Sequence, residues 1–329
     1  LLGTGRAAAQ EFKLETIKFR AIEDVVYGHK DGLALTYDVL IPETKAKGLG
    51  VIILSSGSWK SKKSLPADEA KLRGEHWVQG LLNGGFTVFV VRHGSSPRYF
   101  VPEMVGDVRR AVRCVRLHAK EYGIDPNRIG LTGGSSGGHL SLLAALQADD
   151  GKPEAKDELE RVSSRVQALM TWFPPTDMLN WGAENGYKMI QLARPQLFTE
   201  IFGKITDLEA QLKAISPINF ATASAPPLLL IHGDADKTVP MRTWTTEIGV
   251  VRASADTVLL GVRLICSTRG EDVPYKRSVQ GFVREVLKKG RAELDGRCVR
   301  NAPWLVSDEA GVLELVELLE RPGRLADVV

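Results

Sequence analysis

Two adjacent serines lie in a glycine-rich segment, Gly133-Gly134-Ser135-Ser136-Gly137, that could present one of them as a nucleophile. An apolar run precedes the segment and a continuous apolar helical pattern follows it, which predicts a strand, a sharp turn and a helix in that order. The residues around a serine on such a strained turn must be small, so that strand and helix can approach closely. The G-x-S-x-G spacing makes Ser135 the candidate nucleophile, and a register one residue later would select Ser136. An ordinary glycine-rich turn is the alternative.

The oxyanion formed during acyl transfer needs N–H donors. Ser136 follows the candidate nucleophile at the start of the predicted helix, so we expect its N–H to face the oxyanion. Residues 55–59 (SSGSW) directly follow an earlier apolar strand, and small residues there let the backbone approach the intermediate. We therefore predict Ser56 and Gly57 as further oxyanion-hole residues and Trp59 as a pocket residue. The alternative is a turn with no oxyanion role.

A carboxylate is expected to orient the base that activates the serine. Asp236 follows the last clear strand and is the candidate acid, with Asp234 as a turn residue; the alternative is that both only form the turn. His93 and Asp177 follow two other strands and are candidate pocket residues. For His93 we favour a structural role in its loop.

The strands and helices that must position these residues are predicted to form an α/β fold. Residues 13–27 and 33–41 predict an antiparallel hairpin with a turn at 28–32, and buried strands are predicted at 50–55, 86–92, 167–173 and 226–232. Helices are predicted at 67–82 and 102–122, and a polar loop at 149–160. Strands alternating with helices indicate a mostly parallel central sheet with helices on both faces, with the chemistry at the carboxyl ends of its strands. The second helix carries arginines that we expect on a solvated face: Arg109, Arg110, Arg113 and Arg116.

The composition is that of a globular protein. The 329 residues are 43% hydrophobic and 25% charged, and a net charge of +3 is too small to indicate a nucleic-acid or membrane-surface partner. No apolar run is long enough to cross a bilayer. The three cysteines, Cys114, Cys266 and Cys298, are too far apart to suggest a disulfide framework or a zinc site, and we predict neither a metal nor another cofactor. The small residues at 7–9 resemble the tail of a signal peptide, so a periplasmic or secreted location is predicted, with a cytoplasmic one as the alternative.

Several segments together resemble the α/β-hydrolase superfamily, in its esterase/lipase group, near the acetyl-xylan and feruloyl-esterase-like and prolyl-oligopeptidase-like branches. They are residues 125–130 (DPNRIG), 133–140 (GGSSGGHL), 173–177 (FPPTD), 215–218 (ISPI) and 231–240 (IHGDADKTVP). The resemblance covers about residues 48–240. It implies the α/β-hydrolase fold, Ser135 as nucleophile and Asp236 as triad acid.

The predicted domain is an α/β-hydrolase domain over residues 13–290 with a helical lid insertion at 176–225. Residues 1–12 are expected to be a signal-peptide remnant or flexible end, and 291–329 an atypical C-terminal tail. The predicted function is hydrolysis of a small-molecule or polysaccharide-linked ester through an acyl-enzyme on Ser135. An exopeptidase of the prolyl-oligopeptidase-like branch and a non-catalytic hydrolase-fold binding protein are the alternatives. The oligomeric state is left open.

The family pattern fails at the general base. The resemblance implies a catalytic histidine well beyond the acid, yet no histidine follows His232. From Met241 onward the chain has 3 Lys and 11 Arg, against 16 Lys and 13 Arg before it. We hypothesise that residues 241–329 are not the family's native C-terminus and that activity is weak or lost. A gene with one intact frame and no Gly-His in its other frames would contradict this hypothesis.

Overall fold

The computed structural model describes residues 17–63, 76–181 and 207–222, together with 186–188, 191, 196, 199, 225–231, 236, 238–239 and 258–260. The predicted end segments 1–12 and 291–329 lie outside the described residues, as does the first part of the helix predicted at 67–82.

Within the described residues, eight strands form one sheet. They are β1 (Phe19–Lys30), β2 (Leu33–Pro42), β3 (Leu49–Leu54), β4 (Phe86–Val91), β5 (Ile129–Gly134), β6 (Ala168–Trp172), β7 (Leu228–Ile231) and β8 (Val258–Leu260). Their order is β1-β2-β4-β3-β5-β6-β7-β8; β1, β2 and β4 pair antiparallel, and the pairs from β4 to β8 are parallel. The predicted α/β architecture with a mostly parallel sheet is confirmed.

The helices are α1 (His76–Asn83), α2 (Val101–Leu117), α3 (Ser136–Leu146), α4 (Glu158–Arg161) and α5 (Leu208–Ala214), followed by a 3₁₀ turn at Pro217–Phe220. In the region predicted as a lid, α5 and the 3₁₀ turn are helical as expected. No helix among the described residues is long and apolar enough to cross a membrane.

The core explains why the strand predictions succeed. Every residue of β3 and of β4 is buried, as expected for strands covered on both faces. Residues 136–145 of α3 are also all buried, which accounts for a helix that is apolar on every side. The hairpin is confirmed with a shorter turn than predicted, because β1 continues to Lys30. Asp31 and Gly32 alone make the turn, with φ of 47° and 78°, the left-handed backbone that two-residue hairpin turns need.

The arginines of α2 do not form a solvated face, and that prediction is wrong. Arg113 is buried, and its guanidinium lies 2.6 Å from Asp149 and 3.0 Å from Glu160. Arg110 lies 2.6 Å from Asp157. The acids come from the segment predicted as a polar loop, which ends in α4 and returns over α2. A helical pattern shows which residues share a face, but not which distant segment covers it.

The two remaining arginines of this face are also engaged. Arg109 contacts Asp149. Arg116 donates hydrogen bonds to the backbone carbonyls of Ser163 and Arg165, and burial lowers its pKa to about 10. These contacts hold the segment at 149–165 onto α2, which itself packs against α3.

Candidate active site

Ser135 lies at the junction of β5 and α3 with φ of 51° and ψ of −124°. Its N–H donates to the Trp172 carbonyl at 2.9 Å and its carbonyl accepts the His139 N–H at 2.9 Å, so one residue ends the strand pairing and begins the helix. A non-glycine residue with such a backbone costs about 1–3 kcal/mol and persists only where its surroundings enforce it. The predicted strained turn is therefore present at Ser135.

The neighbouring glycines enforce this turn. A Cβ atom on Gly133 would lie 2.6 Å from the Gly137 carbonyl carbon, and one on Gly138 would lie 2.8 Å from the Gly133 oxygen. A Cβ atom on Gly137 would lie 3.0 Å from the Leu54 oxygen at the end of β3. Glycine is thus required at these positions because the backbones of β3, β5 and α3 are in close contact there. This geometry favours Ser135 over the alternative register.

Residues 55–60, which include the candidate oxyanion-hole residues Ser56 and Gly57 and are here called the oxyanion loop, follow β3 and contact the start of α3. The Ser56 hydroxyl lies 3.1 Å from the hydroxyl of Ser136, the first residue of α3. Ser56 is half-buried and Ser136 is buried. The contact brings the loop against the helix end whose N–H groups are oriented to receive an anion.

Gly57 has a different role from the predicted one. Its N–H donates to the Lys60 carbonyl at 2.9 Å, and the Lys60 N–H donates back at 3.0 Å. Between them Ser58 and Trp59 both have positive φ, which closes a two-residue turn that the sequence does not indicate. An oxyanion at Gly57 would have to displace this existing hydrogen bond.

Trp59 and Asp177, both predicted as pocket residues, have structural partners. Trp59 is 6% exposed, and its indole N–H donates to His139. One Asp177 carboxylate oxygen accepts the N–H groups of Leu179 and Asn180 at 3.1 and 3.0 Å, and the other accepts the Asn180 side-chain amide at 2.7 Å. The Asp177 side chain therefore caps the turn that follows β6.

His93 supports the oxyanion loop. It is 4% exposed, its Nδ1 lies 2.6 Å from the Gly94 carbonyl, and burial lowers its pKa to about 4. The His93 N–H donates to the Ser61 hydroxyl at 3.3 Å, which in turn donates to the Ser55 carbonyl at 2.5 Å. These contacts fit the structural role that we favoured from the sequence.

The candidate acid, Asp236, follows β7 on the chain. Its Oδ1 accepts the N–H groups of Thr238 and Val239 at 2.7 and 3.0 Å, which holds the carboxylate in one orientation. In the sheet β6 alone separates β7 from β5, and the three strands are parallel. Asp236 and Ser135 therefore both follow the carboxyl ends of strands on the same side of the sheet. Asp234 and His232 lie outside the described residues. Among the histidines whose side chains the structure describes, none has a ring nitrogen hydrogen-bonded to the Ser135 hydroxyl.

Three carboxylates in the β1–β2 region, Glu23, Asp24 and Asp38, lie close enough together to resemble a metal site. Two basic side chains already pair with all three. Lys63 lies 2.5 Å from Glu23, and Arg92 lies 2.6 Å from Asp38 and 2.7 Å from Asp24. The cluster is adequately explained as an ion-pair network.

Phe173 lies beside the candidate nucleophile, a position that the sequence did not lead us to expect. It directly follows β6, has φ of 38° and is 41% exposed. Its ring approaches the backbone beside the nucleophile, because a Cβ atom on Gly134 would lie 3.4 Å from its Cζ atom. The available signals were its place at the carboxyl end of the strand predicted at 167–173 and in the segment 173–177 that carries the resemblance, but we assigned its side chain no role.

The strand order, the turn at Ser135 and the buried helix that follows it define an α/β-hydrolase fold. The BD-FAE family model matches residues 37–245, and the chain belongs to this family. A solved structure titled as a truncated form of carbohydrate esterase from gut microbiota is 28% identical, with a TM-score of 0.60 over 75% of this chain and 88% of that one.

Two curated relatives carry esterase names. Esterase LipQ of Mycobacterium tuberculosis is 36% identical over 47% of this chain and 36% of its own length. Isoprenylcysteine alpha-carbonyl methylesterase ICME of Arabidopsis thaliana is 28% identical over 60% of this chain and 44% of its own length. The chain therefore spans less than half the length of these relatives.

Proposed function

We propose that this chain is a carboxylic ester hydrolase with Ser135 as its nucleophile. The observation that carries the proposal is the backbone of Ser135, held at positive φ by glycine contacts at the carboxyl end of a central strand. The esterase names of LipQ and ICME support the reaction class.

In the proposed reaction the Ser135 hydroxyl attacks the ester carbonyl carbon and passes its proton to a general base. The N–H groups of Ser136 and Ser56 stabilise the oxyanion of the tetrahedral intermediate. The intermediate collapses with loss of the alcohol, which takes up the proton, and leaves an acyl group on Ser135. Water then releases the acid by the same steps. Asp236 would orient the base and stabilise its protonated form.

The expected turnover rate depends on whether a general base can take the proton from Ser135. No described histidine side chain is hydrogen-bonded to the Ser135 hydroxyl, and both ring nitrogens of His139 are engaged elsewhere. A serine hydrolase that lacks one triad member keeps roughly 10³–10⁴-fold catalysis over water, from its oxyanion hole and substrate binding. We therefore propose that turnover by the chain as written is weak.

The proposed substrate is a small acyl ester, and a polysaccharide-linked acyl group is one candidate. The similarity to the gut-microbiota protein titled as a carbohydrate esterase supports this choice. The exposed ring of Phe173 beside Gly134 offers an apolar surface for the acyl or alcohol group.

The test is active-site labelling with a fluorophosphonate probe, together with hydrolysis of p-nitrophenyl acetate. We expect S135A to lose both signals. S136A is the matched control, because it removes the neighbouring hydroxyl but keeps the N–H that faces the oxyanion, and we expect it to keep its labelling. Wild-type protein with neither labelling nor Ser135-dependent turnover would contradict the proposal and favour a binding protein. Loss of labelling in S136A but not in S135A would identify Ser136 as the nucleophile instead of Ser135.

A further inference from the structure

Three segments meet at a buried pair of side chains, Trp59 and His139. The indole N–H of Trp59, in the oxyanion loop, donates to Nδ1 of His139 at 3.0 Å. The other ring nitrogen, Nε2, lies 2.7 Å from the carbonyl oxygen of Ile215, which follows α5. An indole only donates and a carbonyl only accepts, so the imidazole must be neutral with its proton on Nε2. One histidine of α3 thus connects the oxyanion loop with the region predicted as a lid.

The oxyanion loop needs such an anchor. Ser58 and Trp59 both have left-handed backbones, with φ of 50° and 57°. Each such non-glycine residue costs about 1–3 kcal/mol and needs support from its surroundings. The Trp59 ring supplies it, because it is buried and packs edge-on against His139 with ring centroids 5.5 Å apart.

The same anchor fixes the proposed oxyanion donor. Ser56 lies three residues before Trp59, and the intervening turn is closed by the Gly57–Lys60 pair. If the indole shifts, the turn moves with it, and the Ser56 N–H moves relative to the helix end at Ser136. A hydrogen-bond donor acts on an oxyanion only over a narrow range of distance.

We propose that His139 is a positioning residue, which holds the oxyanion loop in place through Trp59 and links it to the segment at Ile215. This role rests on the proposed function for its catalytic consequence, but the anchor itself can be measured without turnover.

Four variants test the role. W59F removes the indole N–H and keeps a buried ring, and H139L removes both hydrogen bonds. H139Q keeps a side-chain acceptor and a donor and serves as the conservative rescue. S141A is the matched control, because it removes a buried hydrogen bond of α3, from the Ser141 hydroxyl to the Gly137 carbonyl at 2.8 Å, without touching the loop.

The first readout is hydrogen exchange of the indole N–H groups by NMR, with the Trp59 signal identified by its loss in W59F. We expect slow exchange at Trp59 in the wild type, faster exchange in H139L, and slow exchange again in H139Q and S141A. The Lys60 amide should lose protection together with the indole. Unchanged protection of both groups in H139L would overturn the proposal.

The second readout is kcat and KM for p-nitrophenyl acetate. Misplacing one oxyanion donor should lower kcat about tenfold or more in W59F and H139L with little change in KM, because that donor acts mainly in the transition state. H139Q should recover most of the rate. Equal kcat in H139L and S141A would overturn the positioning role. If the wild type itself shows no Ser135-dependent turnover, the proposed function fails, and the exchange data still decide whether His139 holds the loop.

Discussion

Replacing Gly133 with alanine introduces a methyl carbon into the contact between β5 and α3. The new atom would lie 2.6 Å from the carbonyl carbon and 2.7 Å from the carbonyl oxygen of Gly137. Both are backbone atoms at the first turn of α3, whose residues 136–145 are all buried, so no side-chain rotation can relieve the overlap. Strand and helix must move apart by about 0.8 Å, the difference between 2.6 Å and the 3.4 Å at which ordinary contact begins.

This displacement affects both stability and reactivity. Extra volume in a well-packed core typically costs about 1–3 kcal/mol, and backbone neighbours place G133A near the upper end of that range. Ser135 is two residues away on the same turn and would move with it. A shift of about 1 Å at a reacting group can cost about 10²-fold in rate. We therefore expect a free energy of unfolding lower by about 2–3 kcal/mol and fluorophosphonate labelling slower by about 10²-fold.

The matched control is Gly134→Ala in the same strand. Its Cβ atom would meet only the Phe173 ring, at 3.4 Å from Cζ, and an exposed side chain can move. Urea unfolding and labelling rates should be close to wild type in G134A and strongly changed in G133A. If G133A and G134A had the same stability and labelling rate, contact with the Gly137 backbone would not be the reason that position 133 requires glycine.

Three further predictions concern other parts of the described structure. Arg113→Met should lower the free energy of unfolding, measured in urea, by about 2–3 kcal/mol. This is less than the 3–5 kcal/mol typical of a broken buried pair, because the acid partners of Arg113 are about one-third exposed. The control Arg98→Met breaks an exposed pair with an N–O distance of 3.9 Å and should change this free energy by less than about 0.5 kcal/mol; equal losses in the two variants would contradict a stabilising role for the Arg113 ion pairs. Burial lowers the pKa of His139 from 6.5 to about 4, so between these values the unfolded chain binds a proton that the folded chain excludes. Stability should therefore fall as the pH falls from 6.5 to about 4, by up to about 3 kcal/mol for this group, and H139L should lose less stability than wild type between pH 7 and 4.5 in urea titrations. An unchanged pH dependence in H139L would argue against the buried neutral imidazole. Phe173→Ala should lower kcat/KM for p-nitrophenyl hexanoate about tenfold more than for p-nitrophenyl acetate, because the longer acyl chain loses more apolar contact with the ring. An equal loss for both esters would contradict the proposal that the Phe173 ring contacts the acyl chain.

Local patterns in the sequence determined most of the fold. Apolar runs predicted β3 and β4, because strands buried on both faces have no polar positions to interrupt them. The glycines around Ser135 predicted the sharp turn, since the demand for small residues arises between neighbours in the chain. The continuous apolar pattern after the turn likewise predicted the helix α3, and the structure shows that its residues 136–145 are all buried.

Contacts between distant segments were decided only by the tertiary structure. The sequence placed Arg113 on a helix face, but the carboxylates that cover it belong to a segment that returns over α2. Gly57 looked available because it is small, yet a turn closed by Lys60 uses its N–H. His139 carried no visible signal, because its partners Trp59 and Ile215 lie 80 and 76 residues away and become neighbours only when β3, α3 and α5 pack together. Local residue types therefore indicate the candidate nucleophile and its turn, whereas the packing of whole elements decides which groups support it.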